Sequence, residues 1–270
     1  MALQMAAHSF EQVGELRIHP SPKRVRAFFG GRPIVDTTQA IVVWEPRRVV
    51  PSYAVPLVDI DAQLVPATSR GGEEHAVMIG EGPPVLDPST GFSVHTTPGQ
   101  SYDIDVGTVL DQAAFAPEDP DLQGYAVLDF AAFDEWRDED EVDVVHPRDP
   151  FSRVECRRSS RHVVVESDGE VLADSHAPIM LFETLLPTRY YLPRDDVRMD
   201  LLTPSDSRTG CAYKGFASYF STATVPDIAW TYLDPEHDAA PVKDLICFYN
   251  ERVDITVDGD RLERPTTPWS

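Results

Sequence analysis

VRAFFGGRPIVDTTQAIVVWE (residues 25–45) and VVVESDGEVLADSHAPIMLFE (residues 163–183) can be laid one above the other without a gap. Val25 falls on Val163, Gly31 on Gly169, Asp36 on Asp174, Ile41 on Ile179 and Glu45 on Glu183, with Trp44 over Phe182. After a length change of one residue the series resumes, with Tyr53 on Tyr190, Pro56 on Pro193, Asp59 on Asp196 and Leu64 on Leu201. Further along, Ala114-Phe115 lies on Ala229-Trp230 and Asp119-Pro120 on Asp234-Pro235. Isolated identities arise by chance, but an ordered series through both halves marks a duplication. The chain therefore reads as two tandem domains, residues 1–146 and 147–270, each of ordinary domain size.

The shared unit reads as strands. β-branched runs on either side of Ser167-Asp168-Gly169 predict a hairpin. Short apolar runs bounded by Pro, Gly, Asp or Ser continue to Val257. No stretch sustains a 3.6-residue apolar period over three turns. The best helical candidate is a short one near Phe130–Arg137. The expected fold is mainly β: two small open β-sheet domains with few short helices. Two segments are not shared. Residues 66–98, rich in Gly, Pro, Ser and Thr, predict an extended loop. Residues 118–149 hold twelve acidic residues against Arg137 and Arg148, and their stretch DEWRDEDEVD (134–143) predicts a solvated face.

With 23 basic and 45 acidic residues the net charge is -22. Such a chain repels phosphate backbones and anionic bilayers, so nucleic acid and membrane are not expected partners. No run approaches the roughly 18 apolar residues of a membrane span, and the first residues lack a basic start followed by an apolar stretch. Cys156, Cys211 and Cys247 are widely spaced with no CxxC, which supports neither a disulfide framework nor a zinc knuckle. These features predict a cytoplasmic protein without metal or cofactor.

Two copies of one domain provide an internal control. Glu45/Glu183 and Tyr53/Tyr190 occur in both, so their first reading is architectural. Arg189 and Tyr191, the segment Cys211-Ala212-Tyr213-Lys214-Gly215, and Tyr249-Asn250-Glu251 belong to the second copy alone. The first copy shows Ser52, His95-Thr96-Thr97-Pro98-Gly99 and Leu128-Asp129-Phe130 in these places. Side chains alternate along a strand, which puts Arg189 and Tyr191 on the face opposite Tyr190 and Leu192. The same alternation puts Glu251 in the apolar register of Cys247 and Tyr249. A carboxylate there must be paired or protonated, and Lys214 and Arg189 are the natural partners. It is then either an ion pair that fixes the packing or a site carboxylate with a raised pKa. Cys211 reads either as a small buried hydrophobe or, beside Lys214, as a thiolate nucleophile. No histidine is placed near it. The run Gly99-x-Ser101-x-Asp103-x-Asp105 has the residue types of a nucleotidyltransferase metal site, compressed into one strand. Walker, GxSxG, HExxH and GxGxxG patterns are absent.

The second-copy series Phe182-Glu183-Thr184-Leu185-Leu186-Pro187-Thr188-Arg189-Tyr190-Tyr191-Leu192-Pro193 is followed by Asp196-Val197-Arg198-Met199-Asp200, by Cys211-Ala212-Tyr213-Lys214-Gly215 and by Phe248-Tyr249-Asn250-Glu251-Arg252-Val253. In this order the motifs resemble the bacterial DUF427 family over about residues 160–260, and the first half resembles a divergent second copy. Ala212 departs from the family's usual proline. The resemblance implies a curved, open β structure of the Mss4-like or β-tent kind. A nucleotidyltransferase label attached to the family finds no support in these residues.

The combined expectation is a protein whose second domain binds a small polar or anionic molecule in an open β cleft. Arg189 and Lys214 supply positive charge, Tyr191, Tyr213 and Tyr249 the walls, and Glu183 or Glu251 a general acid or base. Glu251, Lys214 and Cys211 are the candidate catalytic residues. Cofactor-free isomerisation, dehydration or hydrolysis fits such a set. The rival expectation is a non-catalytic interaction module with its acidic first domain facing a basic partner.

Overall fold

In a computed structural model that describes residues 2, 4–68 and 71–270, the chain is mainly β. It divides into two units, Met1–Val77 with Gly82–Asp149 and Met78–Glu81 with Pro150–Ser270. Helix among the described residues is confined to Met5–Glu11 and short 3-10 turns, and no helix is long and apolar enough to cross a membrane.

The predicted hairpin is present in both units. Val163–Ser167 pairs with Glu170–Ser175 through Asp168 (φ 51) and Gly169 (φ 80). Val25–Phe29 pairs with Arg32–Thr37 through Gly30 (φ 59) and Gly31 (φ 75). Two successive residues at positive φ make the turn whose twist matches that of the strands. Each hairpin carries a bulge at the same place, between Val165 and Glu166 and between Ala27 and Phe28.

Each unit builds one seven-stranded and one four-stranded antiparallel sheet. In the second, the larger sheet runs Val154–Arg158, Ile179–Glu183, Arg189–Leu192, Ile246–Phe248, Ala229–Tyr232, Gly215–Ser221, Thr203–Cys211. In the first it runs Arg17–Pro20, Ile41–Trp44, Ser52–Pro56, Tyr125–Leu128, Val109–Pro117, Gly99–Asp105, Gln63–Pro66. The strands follow one chain order in both, and registers coincide: Val42 faces Tyr53 as Met180 faces Tyr190. Details repeat as well. Thr37 donates to Asp59 at 2.7 Å and Ser175 to Asp196 at 2.6 Å. The turns after Glu45 and Glu183 hold Arg47 and Leu185 at φ 66 and 64.

Alternation gives the large sheet two buried faces. In the second unit Tyr190, Leu192, Ile246 and Phe248 pack on Val163, Val165, Ile255 and Val257 of the small sheet. In the first, Val42, Tyr53, Val55 and Leu128 pack on Val25, Ala27 and Trp136. Each fully buried side chain of this kind contributes about 1.5–3 kcal/mol. The opposite face of the second unit carries Leu181, Tyr191, Trp230, Cys247 and Tyr249.

Two expectations need correction. Phe130–Arg137 is not a helix: Phe130–Ala132 is a single 3-10 turn, and Glu135–Asp138 is a strand of the small sheet. Its period is two, because Trp136 and Asp138 point inward while Glu135 and Arg137 do not. Nor is 134–143 wholly a solvated face. Asp138 is buried, accepts from the Tyr53 hydroxyl at 2.8 and 2.9 Å and pairs with Lys23. The register gives Asp138 the place of Val257 in the second unit. Within residues 66–98, Pro66 ends the Gln63–Pro66 strand, Ala76–Val77 pairs with Val85–Leu86 and the remainder described is irregular; Ser69 and Arg70 lie outside the described residues.

Asp143 lies against Asp138, and burial together with the Asp138 charge raises its carboxyl to about 7, against the pull of Lys23 and Arg148. The folded unit holds a proton that the unfolded chain releases near 3.8, so this group's contribution to stability is lost as pH rises from about 4 to about 7. Asp143→Asn is therefore expected to raise the melting temperature by a few degrees above pH 7 and to change it little near pH 4. Melting curves across that range check this, and a variant less stable at every pH would contradict it.

Candidate functional site

The Arg189–Leu192 strand sits inside the large sheet, between Ile179–Glu183 and Ile246–Phe248, so its odd residues project from the face that the small sheet does not cover. Arg189 is 5% exposed. Its guanidinium grips Glu251 with two bonds of 2.7 Å and donates to the Asn250 side chain at 3.2 Å. Trp230, Tyr249 and Trp269 surround it, their ring centroids 5.6, 5.8 and 5.6 Å from Cζ. A flat, weakly hydrated cation tolerates this setting through its fork and the ring faces.

Glu251 reaches the pair through a turn. The Arg252 and Val253 N–H groups both donate to the Tyr249 carbonyl, so the alternation assumed for 247–257 is broken between Phe248 and Asp254. Thr267 adds a hydroxyl bond to Glu251 at 2.5 Å. Burial alone would raise the Glu251 carboxyl, but the bonds and charge of Arg189, with Thr267, outweigh it and hold Glu251 below the ordinary carboxylate range. A site carboxylate with a raised pKa is thus not what stands here. Glu251 is an ionised partner and not a proton donor.

Lys214 is not the partner of Glu251. It pairs with Glu183, delivered by the turn in which the Lys214 N–H donates to the Cys211 carbonyl at 3.3 Å. Gly215 closes that turn at φ +84, where an added Cβ would meet the Asp234 carbonyl at 3.2 Å. Burial pushes the Lys214 ammonium down, but the Glu183 charge, nearby Cys211 and the Glu183 bond leave it raised, and hence charged. Cys211 and Tyr213 are half-buried in the same turn. Burial pushes the Cys247 thiol up to about 12 and, with Tyr219, raises the Tyr249 phenol. Among the described residues no group of His, Cys, Asp and Glu stands ready to hold a metal ion.

Arg189, Tyr191, Tyr249 and Glu251 thus gather on one face, with Glu183 in the electrostatic field of Tyr191 and Tyr232 there. The His237–Val242 turn contributes Ala239 and Val242 to this cluster, and the segment of Thr267 and Trp269 closes over Arg189. An open depression lined by Arg32, Asp61, Gln63 and Asp105 in the first unit touches none of these residues. The sequence reading missed Trp230, Trp269, Thr267 and Tyr219. The Tyr219 hydroxyl lies 3.3 Å from that of Tyr249 and 2.7 Å from Thr209. The parity of Tyr219 and Trp230 could have placed them beside Arg189. Thr267 and Trp269 follow the last strand, where no pattern announces a contact.

Pairing also corrects the comparison of the two copies. Tyr191 faces Cys247 as Ala54 faces Val127, so the counterparts of Tyr249 and Glu251 are Asp129 and Ala131, one residue later than sequence suggests. Tyr219 faces Trp230 as Ser101 faces Phe115, so Lys214 corresponds to Thr96. The first unit has a paired group of its own here, because Glu45 accepts from the Thr96 N–H at 2.7 Å and pairs with His95 at 2.9 Å. A glutamate met by a polar partner on this face is therefore common to both units.

Residues 155–259 match the family model NTP_transf_9, described as Domain of unknown function (DUF427). The second unit carries a DUF427 domain. No curated protein matches the chain. The DUF427 match contains Glu183, Arg189, Lys214 and Glu251 but ends before Thr267 and Trp269. Asp103, from the run that invited comparison with nucleotidyltransferases, accepts from the Gln112 N–H at a bulge. Ser221 does the same for Asp227 in the DUF427 domain, which makes this position architectural.

Removing one member of a buried ion pair leaves the other charge stranded. Arg189→Met should lower the unfolding free energy by about 3–5 kcal/mol, read from urea denaturation. A loss below about 0.5 kcal/mol, the range of ordinary surface substitutions, would show that Glu251 does not depend on Arg189.

Proposed function

We propose that the DUF427 domain of this chain is a small-molecule-binding domain whose ligand is polar and meets the face bearing Lys214, Glu183, Tyr219 and Tyr249. One observation carries the reading. The sister unit reaches the same topology, the same strand register and the same hairpin bulge with Ser52, Ala54, Ser101, Asp129 and Ala131 in place of Arg189, Tyr191, Tyr219, Tyr249 and Glu251. Fold does not demand the second set, so binding is what selects it.

The protonation states favour recognition over acid–base catalysis. Glu251 is held ionised, Lys214 charged, and the Cys247 thiol and Tyr249 phenol keep their protons. Lys214 is the exchangeable cation, since an anionic ligand group can take the place of Glu183 on it, whereas Arg189 is locked by two bonds to Glu251. Arg189 then acts as a rigid floor for the aromatic walls. Work in a reducing cytoplasm, where all three cysteines stay free, belongs to the same reading.

The test is thermal-shift and calorimetric screening of small carboxylates and polar metabolites against the whole chain and the paired variant Lys214→Met/Glu183→Gln. Removing both charges strands neither, so the melting temperature should hold within a few degrees while a compound that binds the native chain loses at least about tenfold in affinity. Equal binding by the paired variant, or no compound that binds, would overturn the proposal.

A further inference from the structure

The first unit holds a buried polar group that its fold leaves unused. His95 precedes the Gly99–Asp105 strand, with its side chain 7% exposed. Its ring lies flat on Phe115, centroids 3.6 Å apart at 7°, and meets the edge of Phe92 at 5.0 Å. Nδ1 stands 2.9 Å from Glu45 Oε1, and the Thr96 N–H donates to the other Glu45 oxygen at 2.7 Å. An ionised carboxylate only accepts, so the hydrogen-bond pattern assigns the imidazole proton to Nδ1. In the neutral ring Nε2 is then a bare acceptor. It is buried and has no hydrogen-bond partner among the described residues.

A packing staple would not need this. In the second unit the corresponding carboxylate, Glu183, is satisfied by Lys214, which leaves no second nitrogen over. A buried acceptor without a donor carries a standing desolvation cost, and such groups call for an explanation. By the same pairing Tyr213 stands in the second unit where His95 stands in the first, so the histidine is not something the shared fold demands. The neighbouring charges have other duties. Arg48 donates to the carbonyls of Thr90 and Gly91, and Asp129 accepts from the Ala131 N–H. Burial raises the Asp129 carboxyl against the Ala131 N–H bond and the Arg48 charge.

We propose that the first unit contains a second small-molecule site, in which His95 Nε2, oriented by Glu45 and held by Phe115, accepts a hydrogen bond from an O–H or N–H of a small uncharged ligand. Alcohols and simple amides are the class, because the site offers one acceptor between aromatic rings and its charges already face one another. The site is independent of the reading of the DUF427 domain.

The test uses the full chain labelled with 15N-histidine. With neutral rings, His95 is expected to give an unprotonated Nε2 signal. Within a panel of small alcohols, amides and ureas, one class should shift that signal and leave the other seven of the eight histidines in place. His95→Phe keeps the ring stack and should weaken binding of the same compound by about tenfold or more, the loss expected for one bond to a buried group. If that variant does not fold, Glu45→Gln retains the imidazole and removes the charge that orients it, and should also weaken binding. A proton found on Nε2 of the neutral ring, a panel that leaves His95 unmoved, or unchanged binding by the variants would each overturn the proposal.

Discussion

A guanidinium and a carboxylate withdrawn from water must find in each other, and in their neighbours, what water supplied. The Arg189–Glu251 pair sets that demand for the second unit. It explains why the chain turns at 249–253 instead of running straight into its last strands, since only the turn brings Glu251 level with Arg189. It explains why Asn250 and Thr267 spend their polar atoms here, because the remaining donor and acceptor capacity must be met. It explains the ring faces of Trp230, Tyr249 and Trp269 around the cation. The segment after the last strand, beyond the DUF427 match, is held by what the pair requires.

The two units show one scaffold put to two uses. In each, a glutamate at the end of a strand, Glu45 or Glu183, enters a tight turn and is met by the segment leading into the next long strand. The first unit answers it with an imidazole and a backbone N–H, the second with an ammonium. Opposite the Tyr of the shared core the units part again. Tyr53 finds Asp138, which Lys23 pairs with in turn, whereas the second unit puts Val257 where Asp138 stands. Substitutions of this kind leave the sheets unchanged and alter only which charges are buried.

Most of the fold was legible because it rests on local chemistry. The Asp168-Gly169 and Gly30-Gly31 turns, the period-two runs beside them and the spacing of the repeat account for the hairpins and their recurrence in both units. The Phe130–Arg137 segment was misread because one aromatic and one acidic residue pointing inward at i and i+2, Trp136 and Asp138, leave no apolar alternation to see. At the candidate site, parity placed Arg189 and Tyr191 on the right face. It could not choose which cation meets which carboxylate, since both Lys214 and Arg189 are within reach of the pattern and the choice is made by a turn. The one- and two-residue offsets between copies at Glu251 and Lys214 arise where strands end, and there only hydrogen bonds keep count.

The central claim is that the sheets of the second unit do not themselves require the buried Arg189–Glu251 pair. Replacing the pair as a whole tests this most directly. Equilibrium denaturation of Arg189→Met/Glu251→Leu, which fills the space with apolar atoms and strands no charge, is predicted to give an unfolding free energy equal to that of the native chain or above it. A double variant less stable by several kcal/mol would mean that the pair is what the fold itself requires.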